Sequence, residues 1–506
     1  MPDNSNRLPV ELYSAEQVRE LDRIAIEDIG VPGYTLMQRA ARFSYETLKE
    51  NWPEANTLAV VCGGGNNAGD GYVLAKLALE ECKQVSVINL IESEKLKGNA
   101  ATAYQDLLST NIIPIEFSSS ALEGVDVIVD ALFGTGLDRD VKGKFYDAIT
   151  VINASDNAVL SIDIPSGLNA DTGNVMNVTV NADITATFIG LKKGMFTGDG
   201  LAYSGKIKFD ALGVPEETYQ RLGQDLDNNS VIRLEPEDLY HVLKPRMRNA
   251  HKGHFGHVLI IGGDQGYLGA VRMAAEAAAR TGAGLVSIAT RSSHASLLST
   301  IRPEIMSHGV ETLDDLMPLI RHADVIAIGP GLGQSEWARL LLARVLESGL
   351  PLVIDADALN LLAEEDQSSM NWVITPHPGE AARLLKTESK TIQSDRFKSA
   401  RMLHEKYHGP VVLKGCGSLI ADTDGQIFVC DAGNPGMSSG GMGDVLTGVI
   451  AGLIAQGIDI NHATKLGVCL HANAADRAAR AGERGMMALD VMLHLRNLVN
   501  PYVPNA

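Results

Sequence analysis

Residues 438–448 read Ser438-Ser439-Gly440-Gly441-Met442-Gly443-Asp444-Val445-Leu446-Thr447-Gly448. Glycines crowd ahead of one aspartate, and an apolar helix is predicted over 445–455. Glycine lets backbone N–H groups turn toward an anion with no Cβ in the way. A helix start adds partial positive charge at the same spot. Asp444 then brings a carboxylate to a place suited to phosphate. An acid beside an anion hole can take a proton from a hydroxyl while phosphate on that oxygen is stabilised. The plain alternative is a glycine-rich turn with Asp444 as its N-cap.

The sequence upstream of this run repeats one pattern. Apolar strands are predicted over 257–261, 323–328, 352–355, 372–375 and 411–413. Each ends in a Gly, Asp or His loop: Gly262-Gly263-Asp264, Gly329-Pro330-Gly331-Leu332-Gly333, Asp355-Ala356-Asp357, Pro376-His377-Pro378-Gly379-Glu380 and Lys414-Gly415-Cys416-Gly417-Ser418. Short apolar strands followed by such loops predict a parallel α/β sheet with its ligand at the carboxyl ends of the strands. The small residues of 274–284 predict a helix lying close to the sheet.

The N-terminal half has its own set of loops. A strand predicted over 58–62 runs into Gly63-Gly64-Gly65-Asn66-Asn67-Ala68-Gly69-Asp70-Gly71, with a helix expected from Tyr72. There is no Gly-Lys-Ser/Thr ending, so it is not a P-loop. The Asn pair offers amide groups where a dinucleotide fingerprint offers only backbone. A strand over 125–129 delivers Asp130, then Gly134-Thr135-Gly136-Leu137-Asp138-Arg139-Asp140. A strand over 159–162 delivers Asp163, then Ile164-Pro165-Ser166-Gly167. Two aspartates at neighbouring strand ends facing an Asn-Asn loop make an oxygen-rich pocket. It suits a hard cation or a polar sugar and nicotinamide group. Either aspartate alone could simply cap a turn.

These motifs carry two resemblances. Residues 235–500 resemble the ribokinase-like superfamily, closest to its nucleotide-dependent NAD(P)H-hydrate dehydratases. Residues 8–220 resemble the NAD(P)H-hydrate epimerase domain; that family usually has two glycines after the Asn pair, where this chain has Ala68 first. The resemblance implies an N-terminal Rossmann-like three-layer sandwich over 1–225 and a ribokinase-like α/β domain over 226–506. It implies repair of hydrated NADH and NADPH. The N-domain would epimerise the R and S hydrates. The C-domain would dehydrate the S form with ADP and Mg²⁺, releasing AMP and phosphate. Asp444 would be the base, Lys414–Ser418 and Gly443 would hold the nucleotide, and Ala270, Gly333, His377 and Asp444 would line the hydrate site. Asp163 would stabilise charge during epimerisation. Asn66–Asp70 and Gly134–Asp140 would hold the pyridine nucleotide, and Asn67, Asp130 and Ser166 would hold K⁺. The rival is a small-molecule kinase carrying a non-catalytic scaffold N-domain.

Bulk properties fit two loop-rich α/β domains. The chain has 506 residues, 50 glycines and 45% apolar residues. A polar junction is expected near 215–229. The net charge of −19 excludes a basic nucleic-acid or anionic-membrane surface as the reading. Five scattered cysteines, Cys62, Cys82, Cys416, Cys430 and Cys469, read as reduced thiols in a cytoplasmic protein. No apolar run approaches membrane-spanning length. Ser14-x-x-Gln17 predicts a capping box opening a helix to about Asp28, with a second helix over 35–50. These two are expected to support a homo-oligomeric contact. His251, His254 and His257 are spaced three apart in a Gly-containing stretch, which argues against zinc.

Overall fold

The computed structural model describes residues 7–225, 230–365 and 367–501. It divides into two compact units that meet at Val231/Ile232. The expected boundary at 225/226 adjoins residues 226–229, outside the described residues. The stretch before it is more ordered than its polarity suggests. Residues Glu216–Asp225 form a helix, and Tyr219 and Leu222 pack onto the N-terminal core.

The N-terminal unit is built on a 7-stranded sheet. Strands Thr57–Cys62, Gln84–Asn89, Val127–Ala131, Ala158–Ile162, Ile184–Phe188 and Lys206–Asp210 pair in parallel. Side chains alternate across the sheet. Leu58, Val60, Val129 and Leu160 join one apolar cluster, and Ala59, Val61, Ile128 and Val159 join another on the opposite face. Helices therefore cover both faces, the expected three layers. Ser14 and Gln17 form the capping box, and helix Ala15–Arg23 continues as a π-helical turn through Asp28. The next helix is Gly33–Asn51.

Two sequence boundaries shift here. The helix expected from Tyr72 starts at Asn66, so the Asn pair and Asp70 lie in its first turns rather than in a loop. Ala68 consequently has helical backbone, and its Cβ is accommodated. The strand expected over 125–129 is Val127–Ala131, which puts Asp130 inside the strand end.

In the C-terminal unit the sheet runs Met306–Gly309, Leu285–Thr290, His257–Ile261, Val325–Ile328, Leu352–Ile354, Trp372–Ile374, Val411–Leu413, Ser418–Ala421, Ile427–Cys430. It is parallel up to Val411–Leu413, and the last two strands add antiparallel. One face carries the largest apolar cluster, under helices Leu268–Thr281, Met442–Ala455 and Ile460–Ala478. The small residues of 274–284 serve helix-to-helix contact more than helix-to-sheet contact. A Cβ on Gly448 would lie 2.0 Å from the Ala274 carbonyl oxygen, and one on Gly452 would lie 2.8 Å from that of Ala278.

Sequence order reverses at one place in each sheet. It does so between Thr57–Cys62 and Val127–Ala131 in the first, and between His257–Ile261 and Val325–Ile328 in the second. At such switch points the loops after neighbouring strands diverge and leave a crevice at the carboxyl ends.

Candidate active sites

The first crevice is a cleft of about 320 Å³ lined by Asn66, Asn67, Asp70, Gly134, Thr135, Gly136 and Asp163, among others. Asp163 is brought in by a left-handed backbone, φ 70°, a conformation that Asp tolerates better than most residues. A Cβ on Gly134 would sit 3.4 Å from Asp163 Oδ2 and 3.6 Å from Asn67 Cβ. Glycine there keeps the loop against both groups. Leu137 turns instead toward the apolar cluster on the other face, and Asp138, Arg139 and Asp140 are exposed beyond the cleft lining. Ala68 and Gly69 are buried behind it, Gly69 against Met37.

Deeper in, Asp130 is fully buried. Its Oδ2 accepts from Ser161 Oγ and Ser166 N–H, each at 2.8 Å, and its Oδ1 from Leu132 N–H at 3.2 Å. Burial pushes its pKa up, and these hydrogen bonds oppose the shift. Asn67 donates to the Phe133 carbonyl at 2.9 Å, while its own Oδ1 is buried without a partner. Ser166 Oγ accepts from Phe133 N–H at 2.8 Å. Asn67, Asp130 and Ser166 thus converge on the Leu132–Gly134 turn. A buried carboxylate and an orphaned amide oxygen beside backbone carbonyls make a donor set that fits a hard monovalent cation.

Sequence reasoning missed Lys192. Its side chain is wholly buried and ion-paired with Asp163. Its ammonium also donates to Thr187 Oγ1 at 2.9 Å and the Phe188 carbonyl at 3.3 Å. Asp22, likewise unassigned from sequence, lines the same cleft. Each is a lone charged side chain next to buried apolar neighbours, Leu21 and Ile24 for Asp22 and Leu191 and Met195 for Lys192, and that was the signal available in the sequence.

The second site lies at the carboxyl ends of the C-terminal sheet. Helix Met442–Ala455 starts at Gly441, whose φ is 90°. Asp444 therefore stands in the first turn rather than at the cap. The first helical hydrogen bond joins Val445 N–H to the Gly441 carbonyl at 3.0 Å. The N–H groups of Met442, Gly443 and Asp444 therefore point out of the helix end, as an anion site needs. A Cβ on Gly443 would lie 3.3 Å from Asp355 Oδ2 and 3.4 Å from Lys414 Nζ, so this backbone touches a charge cluster.

That cluster was only partly foreseen. Lys414 Nζ donates to Asp355 Oδ1 at 2.7 Å and lies 3.7 Å from Glu380 Oε2. Thr447 Oγ1 donates to Asp355 Oδ2 at 2.9 Å. Burial presses Lys414 toward neutrality, but the carboxylates of Asp355 and Glu380 outweigh it and hold its pKa above the ordinary value. Burial likewise works against ionised Asp355, and Lys414 reverses that effect. Asp444 is different. Burial, then the nearby Asp355 charge, carries its pKa from an ordinary 3.8 to about 7, against the pull of Lys414. A carboxyl poised near neutrality is matched to general-base work.

The remaining candidates surround these groups. Gly333 N–H donates to Asp357 Oδ2 at 2.9 Å, and a Cβ on Gly331, two residues earlier in the same loop, would meet Ala270 Cβ at 3.2 Å. His377 caps helix Pro378–Leu384. Its Nδ1 accepts from Gly379 N–H at 3.0 Å and its Nε2 lies 3.3 Å from Glu380 Oε1. Burial lowers its pKa, as do Lys414 and Arg383, so a neutral ring faces the site. The loop Lys414–Ser418 is held from behind by Arg396, another residue sequence reasoning missed. Arg396 donates to the carbonyls of Leu413, Lys414 and Gly417 at 3.2–3.4 Å. Gly415 and Gly417 have φ of 146° and 62°, which turns this loop tightly around the guanidinium. Cys416 and Ser418 follow the same turn. His251, His254 and His257 form no metal cluster: among the described residues no group of three or more His, Cys, Asp or Glu side chains could hold an ion.

Comparison with known proteins covers both units. A family model described as NAD(P)H-hydrate dehydratase matches residues 258–496, and one described as the N-terminus of YjeF-related proteins matches residues 33–194. A bifunctional NAD(P)H-hydrate repair enzyme of Coxiella burnetii is 48% identical over 97% of this chain and 99% of its own. A protein of the same description from Escherichia coli K12 is 42% identical over 99% of this chain and 96% of its own. A solved ribokinase-like superfamily protein from Enterococcus faecalis superposes with a TM-score of 0.50 at 30% identity, covering 54% of this chain and 97% of its own.

Proposed function

As the chain belongs to the family of bifunctional NAD(P)H-hydrate repair enzymes, we propose how its residues divide the two reactions between the two units. The N-terminal unit epimerises the hydrate at C6 and the C-terminal unit dehydrates one epimer. The single observation that carries the second assignment is Asp444: a carboxyl with a pKa of about 7 in the first turn of a glycine-fronted helix.

Hydroxide leaves poorly from C6 near neutral pH. Asp444 takes the proton of the C6 hydroxyl as that oxygen attacks the terminal phosphoryl group of ADP. The N–H groups of Met442 and Gly443 hold the charge that builds on the phosphoryl oxygens. AMP departs, and the phosphorylated oxygen leaves as inorganic phosphate with loss of a C5 proton, restoring the ring double bond. Lys414–Ser418 and Gly443 hold the nucleotide. Ala270, Gly333 and His377 face the hydrate. Mg²⁺, entering with the phosphates, supplies neutralising charge when bound.

In the N-terminal unit Asn66–Asp70 and Gly134–Gly136 hold the pyridine nucleotide, and Asp163 steadies positive charge at C6. Asn67, Asp130 and Ser166 hold K⁺, which balances the Asp130 charge when bound. The orphaned Asn67 Oδ1 supports this. A cytoplasmic setting and assembly of copies through the first two helices belong to the same proposal; among the described residues no helix is long and apolar enough to cross a membrane.

The test is direct. Mixed hydrate epimers are incubated with the full-length protein, K⁺, Mg²⁺ and ADP, and nicotinamide absorbance is followed. Complete return is expected, and only the S fraction should return when epimerisation is blocked. A stable phosphorylated product with no returning absorbance would make the protein a small-molecule kinase instead.

Asp130→Ala isolates the cation site. Removing even a group that only orients metal ligands typically costs roughly 10–100-fold in affinity, and removing a direct oxygen donor should cost no less. The K⁺ concentration for half-maximal epimerisation should rise by about that factor, with dehydration of the S epimer unaltered. An unchanged K⁺ titration would remove Asp130 from the site.

A further inference from the structure

The epimerase cleft holds more charge than charge stabilisation at C6 needs. Three carboxyl groups, Asp22, Asp70 and Asp163, line it, and one ammonium, Lys192, stands behind Asp163. All three Lys192 donors find acceptors, in Asp163, Thr187 and Phe188, so its side chain has one fixed pose. Arg19 also lines the cleft and is exposed. The neighbouring Arg23 is turned away, bonded to Glu20 and Asp28. Three carboxyl groups around one buried ammonium repel one another when ionised, because like charges in a poorly hydrated space interact strongly. That arrangement favours the protonated form of at least one of them.

Asp70 is the member whose surroundings oppose ionisation from most sides. Burial raises its pKa well above the ordinary range, Asp163 and Asp22 add to the rise, and Lys192 only partly opposes it. Asp22 rises to about 6, by burial and the Asp163 charge. Asp70 follows Asn66 and Asn67 by one helical turn on helix Asn66–Glu80, so it shares their side.

Resting on the reading of this cleft as an epimerase site, we propose that Asp70 is the proton donor of the epimerisation and that Lys192 is a positioning residue holding the Asp163 carboxylate toward the same space. Asp70 gives its proton to the C6 hydroxyl. The C6–O bond breaks with its electron pair on oxygen, and water leaves. The ring nitrogen pair forms the N1–C6 double bond, and the resulting cation faces Asp163. Water adds to the other face, the N1–C6 π pair returns to nitrogen, and the proton lost by the added water goes to Asp163. Return of that proton to Asp70 resets the cluster, with no net change in atoms or electrons.

The full-length protein tests this with purified R hydrate in K⁺ buffer without nucleotide, the S product being separated chromatographically. Asp70→Asn should slow R-to-S conversion by roughly 10²–10⁴-fold while S-hydrate dehydration by the same molecule continues. The wild-type rate should fall at high pH as Asp70 loses its proton. The residual rate of Asp70→Asn should lack that fall, and Asp70→Glu should restore part of the activity. Lys192→Met leaves the Asp163 carboxylate without the buried ammonium that fixes its direction, so kcat should fall more than KM rises, and Lys192→Arg should recover part of the rate. Asp70→Asn within threefold of wild type overturns the donor assignment. Lys192→Met with kcat within threefold of wild type, or with the loss carried by KM alone, overturns the positioning role. A wild-type protein that does not epimerise in K⁺ fails at the reading of the cleft itself, and the proposal falls with it.

Discussion

Asp444→Asn should abolish most dehydration while leaving a more stable protein. Asparagine keeps the shape of the side chain but cannot accept the hydroxyl proton, and loss of a positioned base costs roughly 10²–10⁴-fold in rate. The glycine-fronted helix end is untouched, so ADP should bind with near-normal affinity by calorimetry, and epimerisation should be unaffected. The stability effect follows from the same pKa. Asp444 moves from an ordinary 3.8 to about 7 on folding, so the folded state binds more protons than the unfolded state in that interval. Stability therefore falls as pH rises from about 4 to about 7. The variant lacks this loss. Its Tm should exceed that of wild type at pH 8, and the difference should vanish below about pH 4. Wild-type dehydration should rise with pH through about 7, as Asp444 becomes ionised. Turnover within about threefold of wild type would reduce Asp444 to a helix-end residue.

Lys414→Met should have the second largest effect, on stability and pH profile together. Asp355 is almost wholly buried, with 2% side-chain exposure, and among the described residues Lys414, at 2.7 Å, is its only cationic partner. Removing one member of a buried pair leaves the other uncompensated and costs roughly 3–5 kcal/mol. Urea unfolding of the C-terminal unit should show that loss, and epimerase activity should persist at urea concentrations where dehydration is gone. Adding Asp355→Asn to the variant removes the stranded charge and should recover part of the loss. Lys414 also holds down the pKa of Asp444, so any remaining dehydration should need a higher pH. A single variant as stable as wild type would show that water, rather than Lys414, solvates Asp355.

The family, the two-unit organisation and most strand ends were legible along the chain because each depends on neighbours in sequence. Apolar runs of strand length and glycine or aspartate loops are local signals. The strand His257–Ile261 and the strand Val411–Leu413 fall where the apolar runs place them. The start of helix Asn66–Glu80 was not legible. Two glycines and an Asn pair weigh against a helix by propensity. Packing overrides this: a Cβ on Gly71 would lie 2.7 Å from Ala131 Cβ, and one on Gly69 would lie 2.5 Å from Met37. The glycines are present for close approach, not to break the helix.

By itself the sequence determined where the glycine-rich and polar loops fall at the strand ends: the glycines ahead of Asp444, the Lys414–Ser418 turn, the Asn pair and the strand-end aspartates. Only the tertiary structure decided which charges work together. Asp355 and Lys414 are 59 residues apart, and Asp163 and Lys192 are 29 apart. Pairing, burial and the resulting proton affinities arise when strands far apart in the chain end side by side. No local pattern encodes how much water a carboxyl loses or which charge it then meets.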